Sequence, residues 1–151
     1  MIDNQRLPDP VPRCTCAADE KLAQTCILIV EDHELMLTVL LDFVRQTFPE
    51  FAVASAKNGA QALAQVQQLL PTLVLMDVHL PDANGIELIS QCRELHPTIR
   101  VIVLSHSLGL AYEEHARSAG ACGYVVKDQA FSELEPAIRD ALGLTAGSRG
   151  G

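Results

Sequence analysis

At 151 residues the chain has room for one domain, and its 48% apolar content fills a sizeable core that is aliphatic, since only 4% of residues are aromatic. A net charge of −8 argues against a nucleic-acid surface carried by this chain alone. No apolar run approaches the roughly 18 residues of a membrane span, and the opening "MIDNQRLPDPVPRCTC" lacks the continuous apolar stretch of a secretory signal.

Residues 1–25 are polar, carry three prolines, and are expected to form a disordered N-terminal extension. Cys14 and Cys16 make a lone C-x-C in that extension, which reads as tail rather than as a metal site. The ordered pattern begins at "CILIV", residues 26–30, a short apolar run that suits a strand buried on both faces. "ELMLTVLLDFVRQTF" follows as a helix, with Met36, Val39, Leu40 and Phe43 as its apolar stripe. "FAVASA" is a shorter strand, Asn58-Gly59 a turn, and "AQALAQVQQLL" a second helix with Leu63, Val66 and Leu70 on one face, ended by Pro71.

"TLVLMD" is the third strand. Gly85 opens a third helix with Leu88, Ile89, Cys92 and Leu95 facing inward. "IRVIVLS" is strand four, residues 108–119 a weakly amphipathic helix, and "CGYVVK" strand five. In the last helix, "SELEPAIRDAL", Ser132 and Glu135 have the spacing of a capping box, and Leu134, Ile138 and Leu142 share a face. Residues 143–151 read as a flexible tail. The five cysteines are an odd number; Cys26, Cys92 and Cys122 fall in apolar segments and read as small core residues of a reduced, cytoplasmic protein.

Five apolar strands alternating with five helices imply a doubly wound α/β domain, a parallel sheet covered on both faces. Ligands of such folds sit at the carboxyl ends of the strands. What stands at those ends here is Glu31-Asp32 after strand one, Asp77 after strand three, Ser105 after strand four and Lys127 after strand five. Three carboxylates gathered on one edge do not stay ionised without a cation, and oxygen ligands with room for water suit Mg²⁺. An added ammonium and hydroxyl make sense if a phosphoryl group arrives on Asp77.

With "ILIVEDHELML", "KNGAQAL", "LVLMDVHLPDANGIELI", "VIVLS" and "AGACGYVVKD" in that order, the chain resembles the receiver domain of two-component response regulators over residues 26–142. "EDH" and "VVKD" look most like the receivers of LuxR/NarL-type regulators. The resemblance implies a flavodoxin-like receiver fold with strand order 2-1-3-4-5. It implies Asp77 as phosphoacceptor, taking a phosphoryl group from a sensor histidine kinase or phosphotransfer protein. Glu31, Asp32, Asp77 and the backbone carbonyl of His79 would hold Mg²⁺, and Lys127 and Ser105 would contact the phosphoryl oxygens. Ser105 and Tyr124 would act as switch residues, altering the face of helix four, strand five and helix five, where a downstream protein or a second copy docks. The expectation is a signalling domain whose chemistry is limited to self-catalysed phosphoryl transfer and autodephosphorylation, with no nucleic acid bound by this chain alone and no membrane.

Three departures accompany the resemblance. His106 follows Ser105 where the family carries a small residue, and its imidazole is expected to slow phosphoryl entry or water attack. Asp128 follows Lys127 where proline is common, leaving open the peptide geometry that is typically cis in the family. The chain ends about nine residues after the last helix, without the helix-turn-helix domain of a LuxR-type regulator. Alternatives are therefore the receiver half of a truncated LuxR-type DNA-binding regulator, and a phosphate-independent receiver used as a binding module. A haloacid-dehalogenase-type phosphatase needs a second Asp where His79 stands. A flavodoxin needs a phosphate loop after strand one, where "EDHE" would repel a phosphate.

Overall fold

The computed structural model describes residues 25–106 and 110–144; what the sequence suggests for residues 1–24, Cys14 and Cys16 included, and for 145–151 lies outside the described residues. Five strands form one parallel sheet: β1 (Cys26–Val30), β2 (Ala52–Ala56), β3 (Leu73–Asp77), β4 (Arg100–Ser105) and β5 (Gly123–Val126), in the order β2-β1-β3-β4-β5. Five helices connect and follow them: α1 (Glu34–Thr47), α2 (Gly59–Leu69), α3 (Gly85–Leu95), α4 (Leu110–Ala119) and α5 (Ala130–Ala141). A short 3₁₀ turn, Lys127–Gln129, joins β5 to α5. The doubly wound order expected from the sequence is the one observed.

The two-residue period of a strand sorts the apolar runs into two cores. Leu28, Val30, Val74, Met76, Val101 and Val103 face α2, α3 and α4. Ile27, Ile29, Leu73, Leu75, Ile102 and Leu104 face α1 and α5. Because β1, β3 and β4 are covered on both sides, every second residue is as apolar as its neighbour. Full burial of each such side chain is worth about 1.5–3 kcal/mol. The edge strands are less enclosed: β2 is mostly half-buried, as are Gly123 and Tyr124 of β5.

Several local expectations are corrected. In α1 the fully buried stripe is Leu37, Leu40 and Val44, with Met36, Val39 and Phe43 only half-buried. Leu70 and Leu95 point outward at helix ends, 54% and 37% exposed; Leu70 is the C-cap of α2 with a left-handed φ of 47°. Cys122 is exposed: its amide joins the sheet by donating to the Val101 carbonyl (2.8 Å), but it precedes β5 and its side chain leaves the core. The Ser132–Glu135 capping box does not form. Helix α5 starts two residues earlier, the Ser132 hydroxyl donates to the Gln129 carbonyl (3.1 Å), and Glu135 pairs with Arg139 (2.9 Å). The Lys127–Asp128 peptide is trans.

Candidate functional site

In a parallel sheet every strand ends on the same edge, so residues that follow the apolar runs meet there whatever their separation in sequence. Register supplies the detail. Val30 is paired with Met76, so Glu31 comes level with Asp77. Glu31 extends the row of Ile27 and Ile29, and Asp77 the row of Leu73 and Leu75, both toward α1 and α5. Lys127, the first residue of the 3₁₀ turn after β5, enters from that side.

The three side chains are in contact and almost wholly buried, at 1% for Glu31, 3% for Asp77 and 8% for Lys127. Lys127 Nζ lies 2.7 Å from Glu31 Oε1 and 3.1 Å from Asp77 Oδ1. Glu31 Oε1 has no well-directed hydrogen bond besides that ion pair. Burial pushes the Glu31 carboxyl above the usual carboxylate range; the nearby charge of Asp77 adds to the rise, and Lys127 opposes it.

Asp32 is exposed and completes the set: Glu31, Asp32 and Asp77 each present an oxygen within 4.8 Å of the others. Three carboxylates against one ammonium leave a formal charge of −2, which a single divalent cation would cancel. Hard oxygen donors, one solvent-facing, fit Mg²⁺. They open into a cleft of about 390 Å³ walled by Glu31, Asp32, Asp77 and Lys127 and rimmed by His33, Met36, His79 and His106.

The loop from β3 to α3 carries His79, whose amide donates to Asp77 Oδ1 (3.2 Å) and whose exposed imidazole meets the Tyr112 ring edge-on at 6.3 Å. The loop closes on itself through Gly85 N–H to the Val78 carbonyl (2.8 Å) and a bridge between His79 and Asn84. A Cβ at Gly85 would stand 2.0 Å from the Asp77 carbonyl oxygen, so this glycine is required by the close approach of the backbone at Asp77.

Ser105 and Tyr124 are placed differently. Ser105 is buried at the end of β4 in the row of Val101 and Val103, which faces α2–α4. Tyr124 sits opposite Val103 and packs on that same core, one pleat from Ser105. His33, one of three histidines the sequence places near the site, also caps α1 by accepting the Met36 amide at Nδ1 (3.3 Å) while bordering the cleft; that capping role is new from the structure, and the residue's position just before the helical stripe was its signal.

Comparison with known proteins matches residues 27–139 to the family model described as the response regulator receiver domain. The transcriptional activator protein ExaE of Pseudomonas putida is 36% identical over 116 residues, 77% of this chain and 54% of that protein. The DNA-binding transcriptional activator DevR/DosR of Mycobacterium tuberculosis is 37% identical over 117 residues, 76% of this chain and 52% of the relative. The chain thus spans about half the length of these curated relatives. Among solved structures, a two-component response regulator of the LuxR family from Aurantimonas superposes with a TM-score of 0.75 at 30% identity, covering 80% of this chain and 86% of the other. The response regulator domain of Thermotoga maritima CheB gives 0.70 at 28% identity, covering 80% and 97%. Among the described residues no helix is long and apolar enough to cross a membrane.

Proposed function

The chain belongs to the response regulator receiver family, and from that membership we propose that it accepts a phosphoryl group on Asp77 from a phosphohistidine of a kinase or phosphotransfer protein. The observation that carries this reading is the convergence of Asp77, Glu31, Asp32 and Lys127 in one cleft at the strand ends. With Asp77 Oδ1 engaged by Lys127 and the His79 amide, Oδ2 is the attacking oxygen. An O–P bond forms as the donor's N–P bond breaks, its electron pair returning to the imidazole, which takes up a proton. Mg²⁺ held by Glu31, Asp32, Asp77 and the His79 carbonyl would supply positive field for the charge on the transferring oxygens. Lys127 offers the second positive charge, and Ser105 a hydroxyl donor once it turns toward the edge.

Output, in this proposal, passes from Ser105 to Tyr124 on the adjacent strand and so to the α4–β5–α5 face, where a downstream protein or a second copy docks. Residues 26–142 act as the receiver unit between the 1–25 extension and the 143–151 tail, in the cytoplasm where such kinases present their phosphohistidine. The transcriptional activators among its relatives support a second reading of the output, in which this receiver regulates an attached DNA-binding module. Incubation with acetyl phosphate and Mg²⁺ tests the core of the proposal. The parent should gain one phosphoryl mass and Asp77→Asn none. A parent that binds Mg²⁺ yet gains nothing would instead identify a binding module barred at His106.

A further inference from the structure

We infer that Asp82 is a positioning residue for the acceptor site, bracing the loop between β3 and α3 against the first turn of α2. Its carboxylate accepts the Gly59 amide at Oδ1 (2.7 Å) and the Ala60 amide at Oδ2 (3.1 Å). Those are two of the four amides that a helix start leaves without intrahelical partners. A third is met locally, where Asn58 Oδ1 accepts the Gln61 amide (2.8 Å), and the first intrahelical bond runs from the Ala62 amide to the Asn58 carbonyl (2.9 Å). Helix α2 therefore has its own cap in Asn58, and Asp82 arrives from 23 residues away as a cross-link between two segments.

A second observation points the same way. A Cβ at Gly59 would come within 3.0 Å of Ala83 Cβ and 3.1 Å of Asp82 Oδ1, so the loop is seated on this glycine. The loop is also internally closed, by Leu80 N–H to the Ala83 carbonyl (3.3 Å) and by the His79–Asn84 bridge. Fixing Asp82 thus fixes His79, whose amide meets Asp77 Oδ1. The donated Gly59 and Ala60 amides hold the Asp82 carboxyl below its ordinary range. The inference rests on the receiver reading only for the significance of the site; the brace itself is a matter of geometry.

The test compares the parent with Asp82→Ala, Asp82→Asn and Asn58→Ala by thermal unfolding, amide hydrogen exchange over residues 78–84, and calorimetric Mg²⁺ titration. Both alanine variants remove a cap from α2 and should lower the melting temperature similarly. Only Asp82→Ala should speed exchange at the His79 amide and weaken Mg²⁺ binding, on the order of tenfold, the low end for losing a group that supports ligands. Asp82→Asn, which keeps one acceptor for Gly59, should fall between. Equal loop exchange and equal Mg²⁺ affinity in Asp82→Ala and Asn58→Ala would overturn the inference and leave Asp82 a plain helix cap. A parent that binds no Mg²⁺ would count against the receiver reading, while the exchange data would still decide the brace.

Discussion

Gly85→Ala gives the sharpest test of how Asp77 is held. The added Cβ would lie 2.0 Å from the Asp77 carbonyl oxygen, 2.9 Å from its carbon and 3.0 Å from Val78 Cα. All three are backbone atoms at the end of a strand paired on both sides, so no flexible side chain can yield. Relief requires the two backbones to part by about 1 Å, and overpacking of this kind costs about 1–3 kcal/mol. The same movement strains the Gly85 N–H bond to the Val78 carbonyl, worth about another 1 kcal/mol. The expected loss is about 2–4 kcal/mol, read by urea unfolding, with a melting temperature lower by on the order of 10 °C for a domain of this size. Gly123→Ala is the control: there the new Cβ would meet only the Ile102 side chain, at 3.2 Å, and should cost less than about 1 kcal/mol. A Gly85→Ala protein as stable as Gly123→Ala would refute the reasoning, as would one that accepts a phosphoryl group at the parent's rate.

Leu70→Gly should stabilise the protein by about 0.5–1 kcal/mol, because it removes an exposed Leu from a left-handed C-cap; a lower urea midpoint would refute that. With metal chelated, Glu31 should make acid stabilising. Burial raises its folded pKa, so its contribution is full below the ordinary carboxylate value of about 4 and is lost as pH rises through the raised value. The stability of the parent relative to Glu31→Gln should therefore fall from pH 4 upward, and a flat difference would contradict the assigned burial. Lys127→Met leaves Glu31 and Asp77 facing each other without their shared ammonium. It should cost about 3–5 kcal/mol near neutral pH and less in acid, and Mg²⁺ should restore more stability to it than to the parent; pH-independent loss would count against the ion network.

The strands were legible because a doubly covered parallel sheet writes each strand as an uninterrupted apolar run, and the acidic cleft was legible because parallel strands end together. Helix faces were harder. α1 carries Leu35, Met36, Leu37, Val39, Leu40, Leu41, Phe43 and Val44, apolar over so much of its circumference that periodicity cannot choose a face. Packing on β1 chooses Leu37, Leu40 and Val44. Leu70 and Leu95 followed the helical period but stand at the C-terminal ends of their helices, where they are exposed. Gly85 read as a helix opener, whereas its reason for being glycine is the carbonyl of Asp77 on another element. Asp82 carried no local signal, because its partners lie 23 and 22 residues earlier.

These contacts also bear on where a change at Asp77 can be expressed. Strand β3 is buried along its whole length, and the loop after it is pinned by Asn84 capping α3, by the tight seat of Gly85 and by Asp82 on α2. Esterification of Asp77 would replace a carboxylate paired to Lys127 with a neutral acyl oxygen and move the negative charge outward, so the ammonium would have to follow the phosphoryl oxygens or remain with Glu31. Lys127 begins the 3₁₀ turn that joins β5 to α5, so a displacement of its ammonium would act on that turn and on β5, an edge strand whose first residues, Gly123 and Tyr124, are half-buried and whose last, Val125 and Val126, are buried. On the β1–β3 side the strands are buried and the loop after β3 is braced. Lys127, the cleft's buried cation, is attached instead between β5 and α5, which is where the proposed output face would take up a change at Asp77.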